Sequence, residues 1–320
     1  MSNALTEQNA AKMLLEAEDI LIICHKNPDG DTLGSGFAMW STLHRLKKRA
    51  RIVCDSAFPG RYGYMLDKYN RDRCEDFEPR FILAVDTAAK ELMGESLVSL
   101  ASETNLCIDH HMLNGGYAEN LLLDAKSASC CEIIARVIDE MGVTIDGYAA
   151  QCLYTGLATD TGCFRYSNTT SGTHLLAARL FDIGIDYEML NRILFETKTR
   201  ARVELERRAL AGMEYACGGK LAFMTITQEM LATAGADPSE VEGITAIPRT
   251  IEGVEAGVTL RELPTGTYKV SVRTFTVDAS KIAAIFGGGG HVRAAGFECS
   301  GTPYDIKVAV VAALERELSI

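Results

Sequence analysis

The stretch ILIICHKNPDGDTLGSG, residues 20–36, decides the reading of this chain. Its first five residues are apolar and bounded by polar ones, the pattern of a buried strand. His25, Asp29 and Asp31 follow within seven residues, with Pro28 and Gly30 marking a turn between them. Leu33, Phe37, Trp40 and Leu43 then recur at helical spacing, so a helix opens directly after the turn. A strand that ends in a polar turn before a helix is where open α/β sheets place their sites. The helix N-terminus adds free N–H groups and partial positive charge. One imidazole and two carboxylates crowded into such a turn repel one another unless a cation holds them, and a divalent metal does this economically.

Working outward, residues 51–54, 81–85 and 105–108 read as further short strands. The second runs into Asp86 and the third into Asp109-His110-His111. Three apolar runs therefore finish on acids or imidazoles, and a parallel sheet would carry all of them to one edge. Helices are expected at 90–100, from a Ser129/Glu132 capping box to Met141, and from Asp146 onward. In the last of these, Ala149, Cys152, Leu153, Gly156 and Leu157 form one face, and Asp160 continues it at the final turn. A carboxylate there needs a partner. Further helices are expected at 171–183 and 187–196.

Residues 198–208, KTRARVELERR, are polar nearly all round, which suits a helix bridging two bodies or a solvated face. After Gly218-Gly219 the texture changes. Strands are expected at 221–226, 254–261 and 267–275, the last two joined by a Pro264-Thr265-Gly266 turn. Helices begin near Pro238, Asp278 and Pro303. Between the last two, GGGGH at 287–291 lets backbone approach a ligand and exposes N–H groups. The expected fold class is α/β: a mostly parallel sheet flanked by helices, then a smaller α+β domain with a mixed sheet. The expected division is 1–196, a linker helix at 197–217, and 218–320.

The chain has 320 residues, enough for two domains with sizeable cores. Its formal net charge of −11 argues against a long basic groove for duplex nucleic acid and against an anionic membrane surface, but not against a small anion at a metal site. No apolar run approaches the ~20 residues needed to span a bilayer, and the amphipathic, acidic N-terminal segment does not read as a signal peptide. Ten cysteines without a CxxC pair read as reduced thiols in a cytoplasmic protein.

Four of the six histidines, His25, His110, His111 and His291, fall in these special places. HKNPDGD, AVD, IDHH and TGLATDTG, in that order, resemble the four motifs of the DHH phosphoesterases, and SVRTF with GGGGHVRAAGF resembles the DHHA1 domain that follows in one branch. Each motif alone has a plain structural reading as a turn, a cap or a salt bridge; the ordered set is specific. A chain holding only these two domains is similar to nanoRNases that also hydrolyse 3′-phosphoadenosine 5′-phosphate (pAp). The resemblance implies two divalent metals, with Mn²⁺ suited. One would be bound by His25, Asp29 and Asp86, the other by Asp31, Asp86, His110 and Asp160, with a bridging hydroxide as nucleophile. It implies that Asp109 orients His110 or aids acid–base chemistry, and that His111 faces the scissile phosphate. It also implies that Arg273, His291 and the backbone of Gly288 and Gly289 take the far phosphate or base. The expected partners are short single-stranded RNA or small phosphorylated nucleotides, not duplexes or membranes; a homodimer stays open. The competing functions are a linear or cyclic dinucleotide phosphodiesterase and, in another class, a catalytically silent nucleotide-binding protein.

Overall fold

The chain divides into two compact units, Met1–Thr197 and Lys198–Ile320. The structure is a computed structural model and describes residues 2–241 and 243–318.

The first unit is built on six strands: β1 (Asn3–Ala4), β2 (Ile20–Cys24), β3 (Ala50–Val53), β4 (Phe81–Val85), β5 (Leu106–Asp109) and β6 (Asn120–Leu123). They lie in the order β1-β6-β5-β4-β2-β3 and every pairing is parallel. From β2 the chain moves outward to β3, then returns to lay β4 on the other side of β2. That reversal leaves a crevice beyond the carboxyl ends of β2 and β4.

Among its described residues this unit holds the helices α1 (Glu7–Glu16), α2 (Gly30–Arg45), α3 (Gly63–Asp72), α4 (Cys130–Glu140), α5 (Gly147–Asp160), α6 (Ser171–Asp182) and α7 (Tyr187–Asn191). β2 and β4 are buried along their whole length, because the sheet is covered on both faces. On one face Ile20, Ile22, Leu83 and Ile108 pack with Leu33 and Phe37 of α2, Ile134 of α4 and Leu153 of α5. The opposite face holds Leu21, Ile23, Ile82, Ala84 and Cys107. There the helix expected at 90–100 is absent: Lys90–Met93 and Val98–Glu103 are separate 3₁₀ turns. Gly94 between them takes φ +91°, which no helix permits. The helix expected at 187–196 is α7 followed by a single π-helical stretch, Arg192–Glu196.

α2 and α5 approach so closely that side chains would not fit between them. A Cβ on Gly34 would lie 2.4 Å from the Cys152 carbonyl oxygen, and one on Gly156 only 2.3 Å from Cys131 Sγ and 2.7 Å from Asp31 Oδ1. These glycines bring Asp31, at the start of α2, toward Asp160, at the end of α5.

The second unit contains β7 (Glu214–Ala216), β8 (Leu221–Ile226), β9 (Ala256–Glu262), β10 (Tyr268–Thr274), β11 (Gly289–His291) and β12 (Ala294–Cys299). Its helices are α8 (Arg200–Ala211), α9 (Gln228–Ala234), α10 (Ala279–Ile285) and α11 (Pro303–Leu318). The strand order is β11-β12-β10-β9-β8-β7, antiparallel except for β8 with β9. The β9–β10 hairpin closes at the expected turn, where Gly266 takes φ +80° and donates to the Leu263 carbonyl. One face of the sheet packs on Ile282 of α10 and Val310 and Leu314 of α11. The helix expected near Pro238 is two 3₁₀ turns, Pro238–Val241 and Ile244–Thr250.

One expectation changes here. The polar segment at 198–208 is no free-standing bridge: α8 buries Leu205 and Ala209, four residues apart, against Met224, Ile226 and Leu231 of its own unit. A stripe of two apolar residues on a charged helix is too narrow to stand out in the sequence. Part of the GGGGH run is extended: Gly289–His291 forms edge strand β11 against β12.

Candidate metal centre

Three neighbouring strands of the parallel sheet each deliver a charged group to the crevice. β2 ends at Cys24 and is followed by His25, β4 ends at Val85 and is followed by Asp86, and β5 ends at Asp109 and is followed by His110 and His111. Asp29 and Asp31 come from the N-terminus of α2, and Asp160 is the last residue of α5. All six residues expected as metal ligands converge. His25 Nε2 lies 3.6 Å from Asp29 Oδ1 and 3.6 Å from Asp86 Oδ2. His110 Nε2 lies 3.7 Å from Asp31 Oδ2, 3.5 Å from Asp86 Oδ1 and 3.6 Å from Asp160 Oδ2. Asp86 thus turns one oxygen to each histidine.

These separations exceed hydrogen bonds. Ligand atoms each ~2.1 Å from one ion lie roughly 3–3.5 Å apart, so the groups are spaced to share cations. His25, Asp29 and Asp86 form one set of donors that could hold a metal, and Asp31, His110 and Asp160 form another. Asp86 Oδ1 is buried with no hydrogen-bond partner among the described residues, a costly state that a cation relieves. The chemistry of this donor set therefore fits divalent metals.

Four of the candidate ligands are held by neighbouring groups. His25 Nδ1 lies 2.9 Å from the Lys26 carbonyl and His110 Nδ1 3.3 Å from that of Ser127, which turns both Nε2 atoms inward. Asp29 caps α2, its Oδ1 accepting from the amides of Asp31 and Thr32 at 3.0 and 3.2 Å. Asp31 accepts from the first two amides of α4, Cys130 at 2.6 Å and Cys131 at 2.9 Å. Thr32 Oγ1 donates to the Val85 carbonyl and accepts from the His25 amide, pinning α2 between β2 and β4. Asp86 sits at φ +53°, a left-handed conformation uncommon outside glycine and frequent where function dictates backbone shape.

One expected role is corrected. Asp109 does not orient the His110 ring: its Oδ1 lies 2.8 Å from His111 Nδ1, while its contact with His110 is to the backbone amide. Asn114 Nδ2 donates to Asp109 Oδ2 at 2.6 Å and holds the carboxylate for this pairing. Sequence reading missed Asn114, Thr32 and the α4 amides. Only the Ser129 cap hinted at the last, since it places the start of α4.

The electrostatics follow from burial. Asp86 is raised well above the ordinary carboxylate range by burial and by the charge of Asp31. Asp31 is raised by burial despite His110. Burial, then Asp31 and Asp86, lift Asp160 to about 9. Burial opposes a charge on His25, but Asp29 and Asp86 outweigh it and carry its pKa to about 11. Asp109 is pushed up by burial, but its bonds to His111 and Asn114 win and hold it low. His111 is raised, chiefly by its hydrogen bond to Asp109. Without metal, the site therefore retains protons that a cation would displace.

In the second unit the register aligns the other expected residues. Arg273 of β10 pairs with Ala294 of β12, which pairs with His291 of β11. Residues directly opposite share a sheet face, so Arg273 and His291 flank the small Ala294 on one side of the sheet. Gly288 and Gly289 precede His291, and a Cβ on Gly288 would collide with the Gly296 carbonyl at 2.2 Å.

A model of the DHH family, N-terminal domain, matches residues 19–157, and one of the DHHA1 domain matches residues 218–318. The chain belongs to the DHH family and carries a DHHA1 domain behind its catalytic-type domain. It is similar to a Thermus thermophilus protein named bifunctional oligoribonuclease and PAP phosphatase NrnA, 32% identical over 89% of this chain and 86% of the relative. A Streptococcus mutans protein named probable bifunctional oligoribonuclease and PAP phosphatase NrnA is 26% identical over 88% of this chain and 90% of that one. Among solved structures, an exopolyphosphatase-related protein from Bacteroides fragilis matches with a TM-score of 0.87 at 26% identity, over 97% of this chain and 96% of that chain.

Proposed function

We propose that this chain is a metal-dependent hydrolase of phosphoesters in short oligoribonucleotides and in pAp. The observation that carries the reading is the convergence of His25, Asp29, Asp31, Asp86, His110 and Asp160 at the switch point of the parallel sheet, with Asp86 turned to both histidines. The names of the relatives in Thermus thermophilus and Streptococcus mutans agree with it. His25, Asp29 and Asp86 would hold one ion, and Asp31, Asp86, His110 and Asp160 the other. Mn²⁺ suits such a nitrogen-and-carboxylate set. Divalent ions bound there would supply charge neutralisation for the phosphate and a lowered pKa for a bound water.

The chain's own residues do the rest. His111 donates from Nδ1 to Asp109, which leaves Nε2 free, and that hydrogen bond is the chief cause of its raised pKa. His111 would face the scissile phosphate and could serve as general acid toward the leaving oxygen. Asp109, held by Asn114, fixes the ring. Arg273, His291 and the backbone of Gly288 and Gly289 would take the phosphate or base that does not react. A net charge of −11 leaves little basis for a long phosphate track, so substrates of a few nucleotides are favoured. Ten free thiols suit a reducing, cytoplasmic setting.

The test is a panel with added Mn²⁺: phosphate release from pAp, cleavage of a dinucleotide, a pentamer and a much longer strand, and hydrolysis of pyrophosphate. Metal-dependent turnover of pAp and the shortest RNAs is expected. Equal rates per end on the long strand with steep salt dependence, or turnover of pyrophosphate alone, would overturn the reading.

A further inference from the structure

The second unit carries an aromatic surface that none of the roles above uses. In its sheet, Gly257, Arg273, Ala294 and His291 form one cross-strand row. The neighbouring Val258, Val272 and Ala295 point the other way, into the core. On the row's face, a Cβ at Gly257 would lie 2.5 Å from the Arg249 amide nitrogen. The Arg249 backbone therefore rests directly on the end of the row. From there its guanidinium carbon reaches 5.1 Å from the centroid of the Phe275 ring. Phe275 continues the ladder one bond past β10, its amide donating to the Glu255 carbonyl at 3.1 Å. It lies two residues beyond Arg273, hence on the same face.

Phe275 is 52% exposed although it is anchored at both its backbone and its ring. Arg249 Nε is buried and unbonded, and among the described residues the side chain makes no ion pair. A guanidinium without a carboxylate, laid on an aromatic ring, stiffens that ring and adds positive charge beside it. An exposed, held aromatic face next to cationic and imidazole side chains has the composition of a surface for a base and its phosphate.

We propose that Phe275, backed by Arg249, is the platform on which a nucleobase of the substrate stacks, with the attached phosphate directed to the row of Arg273 and His291. The ligand class is a nucleoside monophosphate unit. The inference rests on the nucleotide substrates proposed above and names what selects them.

Binding tests it apart from catalysis. The full chain, kept metal-free with a chelator, is titrated calorimetrically with adenosine 5′-monophosphate and with ribose 5-phosphate. The wild type should prefer the nucleotide, Phe275→Ala should lose about ten-fold in affinity for it, within the range of one base–aromatic stack, and ribose 5-phosphate should bind both alike. Phe275→Trp should keep the preference, and Arg249→Ala should lose part of it. Equal binding of the two ligands by the wild type, or an undiminished preference in Phe275→Ala, would overturn the proposal. Hydrolysis of pAp is followed in parallel: a wild type that prefers the nucleotide but turns over no phosphoester upholds the platform and defeats the proposed function. With turnover present, Phe275→Ala should raise KM for pAp at little cost in kcat.

Discussion

The two sheets place polar side chains by different rules. In the first unit His25, Asp86, Asp109, His110 and His111 stand at the ends of parallel strands, where successive termini lie side by side and side-chain alternation is irrelevant. In the second they stand along an antiparallel row, where alternation and register decide which residues meet. The first arrangement gathers charges out of water: Asp31, Asp86 and Asp109 are almost fully buried. The second leaves His291 exposed at the edge of its sheet. A buried cluster of acids suits ions that stay, and an exposed row suits a ligand that comes and goes.

That contrast breaks most sharply at Asp86. Asp86→Ala should remove bound metal and lower turnover of pAp by at least ~10³-fold, more than the ~10–100-fold expected when only an orienting partner is lost. Near-normal metal content and activity in this variant would refute the paired-ion assignment. On the other side, Arg273→Ala and His291→Ala should raise KM for pAp roughly 10–100-fold, the worth of a hydrogen bond to a charged group. Bound metal should stay at its wild-type level. If either variant loses its metal, the division of labour between the units is wrong.

Glycines sharpen the comparison at smaller scale. Gly156→Ala forces a methyl group against Cys131 and Asp31, so it should cost ~1–3 kcal/mol of stability and weaken metal binding as well. Gly289 has open space where its Cβ would lie, and Gly289→Ala should stay within ~0.5 kcal/mol of the wild type. Melting temperatures with and without Mn²⁺ distinguish the two variants.

The smallest effect is on pH. Asp160, at about 9 in the folded chain, lies above its unfolded value of ~3.9, so its stabilising contribution is complete below ~4 and is lost as pH rises through about 9. Asp31, Asp86 and His25 are raised and act in the same sense; Asp29 and Asp109 are lowered and act oppositely, in acid. Chelated protein should therefore lose stability as pH climbs from neutrality toward 9, while metal affinity increases and binding releases protons. Calorimetry in two buffers of different ionisation enthalpy measures that release, and a metal-binding step without it would contradict the buried, protonated carboxylates.

Much of this was legible in one dimension for a physical reason. Parallel strands buried on both faces must be short apolar runs, and a sheet edge is reached wherever such a run stops. The motifs at His25, Asp86 and Asp109 therefore announced both the strands and the site. The 3₁₀ turns after β4 were not legible, because their apolar residues repeat at nearly helical spacing and only the φ of Gly94 breaks the helix. Edge strands β1 and β11, at two and three residues, are too short for any period to register.

By itself the sequence determined the parallel sheet, the order of the two domains and the charged residues at the strand ends, since these depend on local hydrophobic pattern and on which polar residues end each apolar run. Tertiary structure alone decided who holds whom: that the amides of α4 grip Asp31, that Asp109 turns to His111 rather than to the His110 ring, and that Arg249 lies over Phe275. The first and last of those pairings join residues far apart in the chain, whose partners are chosen by strand order, register and the close approach of α2 to α5, and no local pattern along the chain encodes a distance across it.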